Sequence, residues 1–349
     1  MKRVGIIGCG GIAQVHGWVL SEMDDVEIAA VCDLQRDRAE SFLASQGCKS
    51  AKERGETGTQ SPESASGHAG CRVETDWRRL RDMELDVVHI CTPHDLHVPM
   101  AVELLKSGKA VFMEKPCAIS REQFEELYEA DGAHPGKLGI CFQNRYNETT
   151  KLADELIAAN RIGKVIGARA FVTWRRDAGY YQGSAWKGKK STEGGGALIN
   201  QSIHTLDLLL RYLGKPVKVR ASLSNHHLPG IIEVEDTVEA WMEFEGGGRA
   251  CFYASNGYAC DAPVLLEIQG EKGRITIDDQ EVRLQTNGVG TERFDASRSE
   301  GIGKSYWGVG HKACIRDFYD SLEKGKNFPV DLASIETTFD TMMRIYESV

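Results

Sequence analysis

A short apolar strand that runs directly into Gly8-Cys9-Gly10-Gly11-Ile12-Ala13 and then into a helical pattern leaves this chain few architectures. Arg3–Ile7 reads as a buried strand and Ile12–Ser21 as the helix behind it. The G-x-G-x-x-A spacing between them is the turn that opens a dinucleotide-binding βαβ unit. Gly8 permits the tight turn, Gly10 lets the backbone approach a pyrophosphate, and Ala13 lets helix pack closely on strand. Gly11 and Ile12 offer free N–H groups to the phosphates. The next strand, Val26–Asp33, ends in a carboxylate twenty positions after Ala13. There Asp33 can accept hydrogen bonds from the adenosine ribose hydroxyls and repel a 2′-phosphate, so NAD is the expected cofactor. Arg36 and Arg38 lie close enough to receive that phosphate, which keeps NADP as the alternative.

The same grammar continues for about 145 residues. Strands at Asp86–Thr92, Ala110–Met113 and Lys137–Phe142 alternate with helical patterns at Gln35–Ser45, His97–Ser107 and Arg121–Ala130. Near-continuous apolar strands alternating with helices predict a doubly wound parallel sheet covered on both faces. Residues 1–146 are therefore assigned to a Rossmann domain. Lys49–Gly70 interrupts it with a polar segment that holds only three weakly apolar alanines, so it reads as an inserted surface loop. Residues 147–349 change character. A helix at Glu148–Asn160 precedes strands at Val165–Trp174, Val217–Asn225, Asp236–Phe244, Ala250–Ser255, Leu265–Gln269 and Arg274–Asp278. Glu245–Gly248 and Gly270–Gly273 read as hairpin connections. Two helices, Gly308–Lys324 and Leu332–Ser348, close the chain, and the last is expected to pack back on the Rossmann domain. The fold class is α/β, with an α+β second domain built on a large, mainly antiparallel open sheet whose free face suggests a homodimer or homotetramer.

Composition narrows the function. A net charge of −9 disfavours nucleic acid and anionic membrane surfaces as partners. No apolar run approaches the roughly 18 residues of a membrane span, and the basic N-terminus breaks into glycines too early for a signal peptide. Ten scattered cysteines show neither metal-ligand spacing nor a disulfide framework. No metal is expected, and free thiols suit the reducing cytoplasm.

Two segments carry candidate chemistry. The strands at Asp86 and Ala110 run into Cys91-Thr92-Pro93-His94-Asp95-Leu96-His97 and Glu114-Lys115-Pro116. In an open parallel sheet these carboxyl ends border the ligand crevice. A lysine there, partly desolvated and near other positive charge, can lose its proton near neutrality and accept one from a hydroxyl under oxidation. The second segment is Gly194-Gly195-Gly196 followed by a helix from about Gly196 to Leu213. On it Asn200, His204, Asp207 and Arg211 form one polar stripe, opposite an apolar stripe of Ile199, Ile203, Leu206, Leu210 and Leu213. His204 can take the substrate proton or hold the hydroxyl. Lys115 and His204 compete for the role of general base, and both stand as catalytic candidates. Trp174, Tyr180, Tyr181 and Trp186, with Arg175, Arg176 and Lys187, form a loop whose aromatic faces suit a sugar. Trp186 and Tyr146 are the expected contacts.

Taken together, Gly8-x-Gly10-x-x-Ala13, Cys91-Thr92-Pro93-His94, Glu114-Lys115-Pro116, Phe142–Asn147 and Gly194 through His204 give a chain that resembles the Gfo/Idh/MocA oxidoreductases along nearly its full length. The resemblance implies NAD(P)-dependent oxidation or reduction of sugars, cyclitols and their derivatives, with Lys115 and His204 as catalytic pair. It also implies that Thr92, Pro93, His94, His97 and Glu114 line the cofactor; Asn144, Tyr146, Trp186, Asn200 and His204 are the expected substrate contacts. Many members have Asp-x-x-x-His where Asn200 stands here. Asparagine positions a hydroxyl but relays no charge, which argues against plain myo-inositol. The leading expectation is an NAD-dependent dehydrogenase acting on a secondary hydroxyl of a sugar, glycoside or cyclitol. Alternatives are an enzyme that recycles NAD while cleaving a glycoside through a 3-keto intermediate, and a cofactor-binding regulator without catalysis.

Overall fold

The computed structural model describes residues 1–46, 70–278, 281–296 and 309–348. The inserted polar segment, Gly70 apart, lies outside the described residues. The first half runs β1 (Lys2–Ile7), α1 (Gly11–Ser21), β2 (Val26–Cys32), α2 (Arg36–Ser45), β3 (Arg72–Glu74), α3 (Arg78–Asp82), β4 (Val87–Ile90), α4 (His97–Lys106), β5 (Ala110–Glu114), α5 (Arg121–Ala133) and β6 (Leu138–Cys141). Its six strands lie in the order β3-β2-β1-β4-β5-β6, all parallel. β4 and β5 are buried along their whole length, as their mainly apolar runs require when helices cover both faces, with His89 and Glu114 as the polar exceptions. β3 and α3 escape the sequence pattern because β3 is a three-residue edge with only Val73 apolar. The strand order reverses between β1 and β4, and the crevice opens there, beyond their carboxyl ends.

The second half comprises α6 (Glu148–Ala158), β7 (Val165–Thr173), α7 (Ala178–Gln182), α8 (Lys190–Glu193), a π-helical turn at Ala197–Ser202, α9 (Ile203–Leu213), β8 (Pro216–Ser224), β9 (Thr237–Phe244), β10 (Arg249–Ser255), β11 (Leu265–Gly270), β12 (Gly273–Asp278), β13 (Glu281–Thr286), β14 (Gly290–Asp295), α10 (His311–Lys324) and α11 (Leu332–Glu347). Eight strands form the second sheet, ordered β14-β13-β12-β11-β7-β10-β9-β8. Its pairings are antiparallel except β7 with β10. Both expected hairpins are present, joining β9 to β10 and β11 to β12. β13 and β14 extend the sheet beyond the sequence reading. β14 is almost wholly exposed, so it carries no apolar alternation to betray it.

On β9, Val238, Ala240, Met242 and Phe244 point inward while Glu239 and Glu243 alternate outward. Full burial of each large apolar side chain contributes roughly 1.5–3 kcal/mol. Ile203, Leu206 and Leu210 of α9 belong to the same core. The last two helices pack against the first sheet's edge. Phe339 of α11 stacks on Phe124 of α5 at 4.3 Å, and Phe318 of α10 sits where a side chain on Gly139 would meet it at 2.5 Å. One large core runs through both halves, with a small separate cluster of Tyr181, Leu228, Ile232 and Val234 beside it. No described helix is long and apolar enough to cross a membrane.

Candidate active site

A cleft of about 480 Å³ lies at the switch point and is lined from both halves of the chain. Its floor begins at the glycine turn. Gly8 has φ +85°, and a Cβ there would lie 2.6 Å from the Cys91 carbonyl oxygen, so strand β4 forbids any side chain. A Cβ on Gly10 would meet nothing within 4 Å, which leaves that face open to an incoming ligand. The start of α1 carries no side-chain cap and no acidic residue in its first turn. Its free N–H groups suit an anionic phosphate. Asp33 is nearly buried. Its Oδ2 accepts the Cys9 N–H (3.0 Å) and its Oδ1 accepts the Gln35 N–H (2.9 Å), which fixes the carboxylate at the cleft edge. Arg38 approaches it to 3.9 Å. These groups fit a dinucleotide: an open glycine cradle, uncapped helical N–H groups, and an oriented carboxylate one strand away.

Gly8, Gly10, Gly11, Ile12, Asp33, Arg38, Thr92, Pro93, His94, Glu114 and Lys115 all line this cleft. Ala13 is fully buried beneath it, as the close helix–strand packing demands. His97 does not line the cleft. Its ring bonds the Pro116 carbonyl (2.8 Å) and the Thr92 carbonyl (3.0 Å), pinning the Glu114-Lys115-Pro116 segment to the loop after β4. His94 meets the Glu193 carbonyl at 2.8 Å and packs on the Trp186 ring at 4.7 Å, so the loop after β4 also anchors the second half. Burial first, and the charge of Lys115 second, hold His94 well below the usual histidine range.

From the second half come Trp174, Arg176, Tyr180, Ser184, Trp186, Lys187, Asn200, Gln201, His204 and His311. Lys115 Nζ donates to the Asn200 backbone carbonyl (2.8 Å) and lies 3.4 Å from its Oδ1. Burial pushes this amine below the usual lysine range, against the opposing pull of Glu114 and Glu193. His204 packs edge-on against Phe142 at 5.5 Å. Its Nδ1 is buried without a hydrogen-bond partner, and burial together with Lys115 drives its pKa well down, so the ring is neutral. Asn200 Nδ2 donates to Glu193, whose second oxygen accepts the Gly188 N–H. Burial raises Glu193 to about 7 despite these bonds and nearby Lys187.

The three glycines before Asn200 are each sterically enforced. Gly194 has φ +85°, a Cβ on Gly195 would lie 1.9 Å from the Tyr346 hydroxyl, and one on Gly196 would lie 1.9 Å from the Glu235 carbonyl oxygen. Glu235 accepts the N–H groups of Gly196 and Leu198 at 2.9 Å each, capping the π-helical turn.

Here the structure corrects the sequence reading. The segment is not one helix with one polar stripe, because the π-helical turn re-phases Asn200 against α9. Asn200 and His204 face the cleft. Asp207 instead turns to Arg145 in a buried bidentate pair (2.7 and 2.6 Å), also accepting from Thr338, and Arg211 pairs with Asp154 at 2.8 Å. Tyr146 and Asn144 do not line the cleft. The Tyr146 hydroxyl donates to Asp317 (2.7 Å) and the ring lies parallel to Phe328, while the Asn144 carbonyl accepts from Thr150 (2.7 Å). Gln143 occupies the cleft wall in their place. Gln201, Gln143 and His311 were missed. The neighbouring motifs signalled the first two, whereas His311 arrives from more than a hundred residues away.

A Rossmann sheet with an oriented carboxylate after β2, opening into a polar and aromatic second-half wall, defines a dinucleotide-dependent oxidoreductase. Residues 2–139 match the model of the oxidoreductase family with NAD-binding Rossmann fold, and residues 150–276 match the GFO/IDH/MocA C-terminal domain. The chain belongs to the GFO/IDH/MocA oxidoreductase family, as an NAD-binding enzyme. It is 25% identical over 281 residues to inositol 2-dehydrogenase of Rhizobium meliloti, covering 80% of this chain and 76% of that one. It is 24% identical over 307 residues to D-glucoside 3-dehydrogenase of Escherichia coli, covering 82% and 80%. In fold it is similar to levoglucosan dehydrogenase in complex with NADH, with a TM-score of 0.83, 19% identity and coverage of 99% of this chain and 97% of that one.

Proposed function

We propose that this protein is an NAD-dependent dehydrogenase that oxidises a secondary hydroxyl of a sugar, glycoside or cyclitol, with Lys115 as proton acceptor and His204 as the group that orients the hydroxyl. The observation that carries the assignment is the meeting of Lys115, Asn200 and His204 across the cleft beside the glycine cradle. NAD, when bound, supplies the hydride acceptor; Gly8, Gly10, Gly11, Ile12, Asp33 and Thr92 to His94 would hold it. Burial lowers the Lys115 pKa, so a larger fraction of the amine is free to take the hydroxyl proton near neutrality. His204 is driven too low to be an effective base, but as a neutral ring it can hold a hydroxyl through a single hydrogen bond at Nε2. Asn200 fixes the Lys115 amine. Tyr180, Trp174 and Trp186 offer apolar faces to a sugar ring, and Lys187, 3.8 Å over the Tyr180 ring, stiffens that wall. Relatives described as inositol 2-dehydrogenase and D-glucoside 3-dehydrogenase support this substrate class. The two polypeptide halves act as one cytoplasmic enzyme, divided near residue 146, and copies associate through the open sheet.

The test is growth of the reduced-nicotinamide absorbance band against hexoses, uronic acids, inositols and glycosides, with NAD and separately with NADP. Lys115→Ala, which removes the proton-transfer group, lowers turnover by about 10²–10⁴-fold, and His204→Ala lowers it as well. Near-wild-type turnover in either variant removes that residue from the mechanism. A flat trace with a cleaved glycoside replaces the dehydrogenase by the NAD-recycling reading.

A further inference from the structure

Behind the cleft runs a buried row of polar groups that the mechanism above does not use. Glu114 Oε1 meets His16 Nε2 at 3.0 Å, His16 Nδ1 meets His89 Nδ1 at 2.9 Å, and His89 Nε2 meets the Tyr319 hydroxyl at 2.9 Å. The four groups come from β5, α1, β4 and α10, and His16, His89 and Tyr319 are fully buried. Two ring nitrogens in contact require one N–H and one lone pair, so the row admits few proton placements. The Tyr319 hydroxyl finds its described hydrogen-bond partner in His89 Nε2. Its proton has an acceptor only when that nitrogen carries none, and the rest then follows. Tyr319 donates to His89, His89 donates from Nδ1 to His16, and His16 donates from Nε2 to Glu114.

We infer that Tyr319 and His89 are positioning residues that fix the His16 proton on Nε2, so that Glu114 keeps its negative charge beside Lys115. This rests on the proposed role of Lys115. The surrounding groups agree. Burial alone would raise the Glu114 carboxyl, but the His16 hydrogen bond and the charge of Lys115 hold it well below the carboxylate range. Burial keeps His89 and His311 neutral, and keeps the Cys91 and Cys141 thiols, facing Glu114 from just past β4 and from the end of β6, protonated. Lys115 faces Glu193 and Lys187 on its other side, and it feels Glu114 as the strongest opponent of its own desolvation. If the row is cut, His16 is free to move its proton to Nδ1, where Cys91 Sγ lies 3.5 Å away. Glu114 then loses its donor and takes up a proton, and Lys115 surrenders its own more readily.

The test uses the apoprotein and no substrate. A long-range ¹H–¹⁵N histidine spectrum locates the His16 proton, and the ¹³Cε signal of Lys115, assigned by its loss in Lys115→Met, gives that amine's titration midpoint. Wild type shows His16 protonated on Nε2. His89→Leu moves that proton and lowers the Lys115 midpoint by about half a pH unit or more. His89→Gln, whose amide can accept from Tyr319 and donate to His16, retains both wild-type values. Should His89→Leu not fold, Tyr319→Phe is read in the same way, with a smaller downward shift expected. A wild-type His16 protonated on Nδ1, or a Lys115 midpoint indifferent to these changes, overturns the inference. Since neither readout needs turnover, absence of sugar oxidation would count against the proposed function and leave this result standing.

Discussion

Glu193 is a fully buried carboxyl, and its raised pKa makes stability depend on pH in a direction that can be measured. Its ordinary value of 4.5 rises to about 7, with burial as the leading cause, so the folded chain binds this proton more tightly than the unfolded chain does. The contribution is therefore fully present below about pH 4.5 and is lost as pH climbs through about 7. At about 1.4 kcal/mol per unit, the loss amounts to about 3 kcal/mol. Glu193→Gln removes the titration. It also costs one acceptor, since the Gly188 N–H and Asn200 Nδ2 both donate to this carboxyl, a penalty of roughly 1–2 kcal/mol that does not vary with pH. The variant is thus expected to be the less stable protein near pH 4.5, and to gain about 3 kcal/mol on wild type by about pH 8. Paired urea or thermal unfolding curves across that range give the difference directly, and other titrating groups cancel in the subtraction. Parallel curves would refute the reasoning, because they would mean that Glu193 is charged throughout and that its hydrogen bonds outweigh its burial.

Asp33→Ala should reduce selectivity for NAD over NADP by about tenfold, or ~1.4 kcal/mol, read as the ratio of dissociation constants from fluorescence titration. Both affinities fall somewhat, because Cys9 and Gln35 N–H lose their acceptor; an unchanged ratio would place the selectivity elsewhere. Gly196→Ala puts a methyl 1.9 Å from the Glu235 carbonyl oxygen and should cost about 1–3 kcal/mol or more, visible as a lowered Tm together with lost turnover. Wild-type stability there would show that the π-helical turn yields easily. Arg145→Leu leaves Asp207 charged, buried and unpaired, at a cost of about 3–5 kcal/mol. Its Tm falls, while the pH profile of whatever activity survives keeps its midpoints; shifted midpoints would place this pair in the catalytic site.

The parallel sheet and the cofactor end were legible because their determinants are local. Gly8, Gly10, Ala13 and Asp33 act through the strand, turn and helix that they themselves build, and β4 and β5 announce full burial by mainly apolar runs. The Glu114-Lys115-Pro116 segment was legible for the same reason, as it ends a strand that must open on the crevice. Edge strands β3 and β14 were not, since a strand with one polar or open side need not alternate; β13 lies inside the sheet and escaped because it buries only Val282 and Leu284. Asn200, Asp207 and Arg211 share one stripe only if the helix keeps its ordinary pitch. Glu235, from beyond the next strand, caps a π-helical turn instead and sends Asp207 to Arg145. Tyr146 and Gln143 exchanged roles because a tight turn at Gln143–Tyr146 decides which side chain faces the cleft.

Spacing along a strand or helix translates directly into position, so residue order alone shows which backbone suits a dinucleotide and which two segments bring titratable side chains to the crevice. The electrostatics around them belong to the folded chain alone. The neutrality of His204, the raised pKa of Glu193 and the row from Tyr319 to Glu114 all arise where residues far apart in the chain are brought out of water together. Desolvation and partner geometry are properties of that meeting and not of any stretch of sequence.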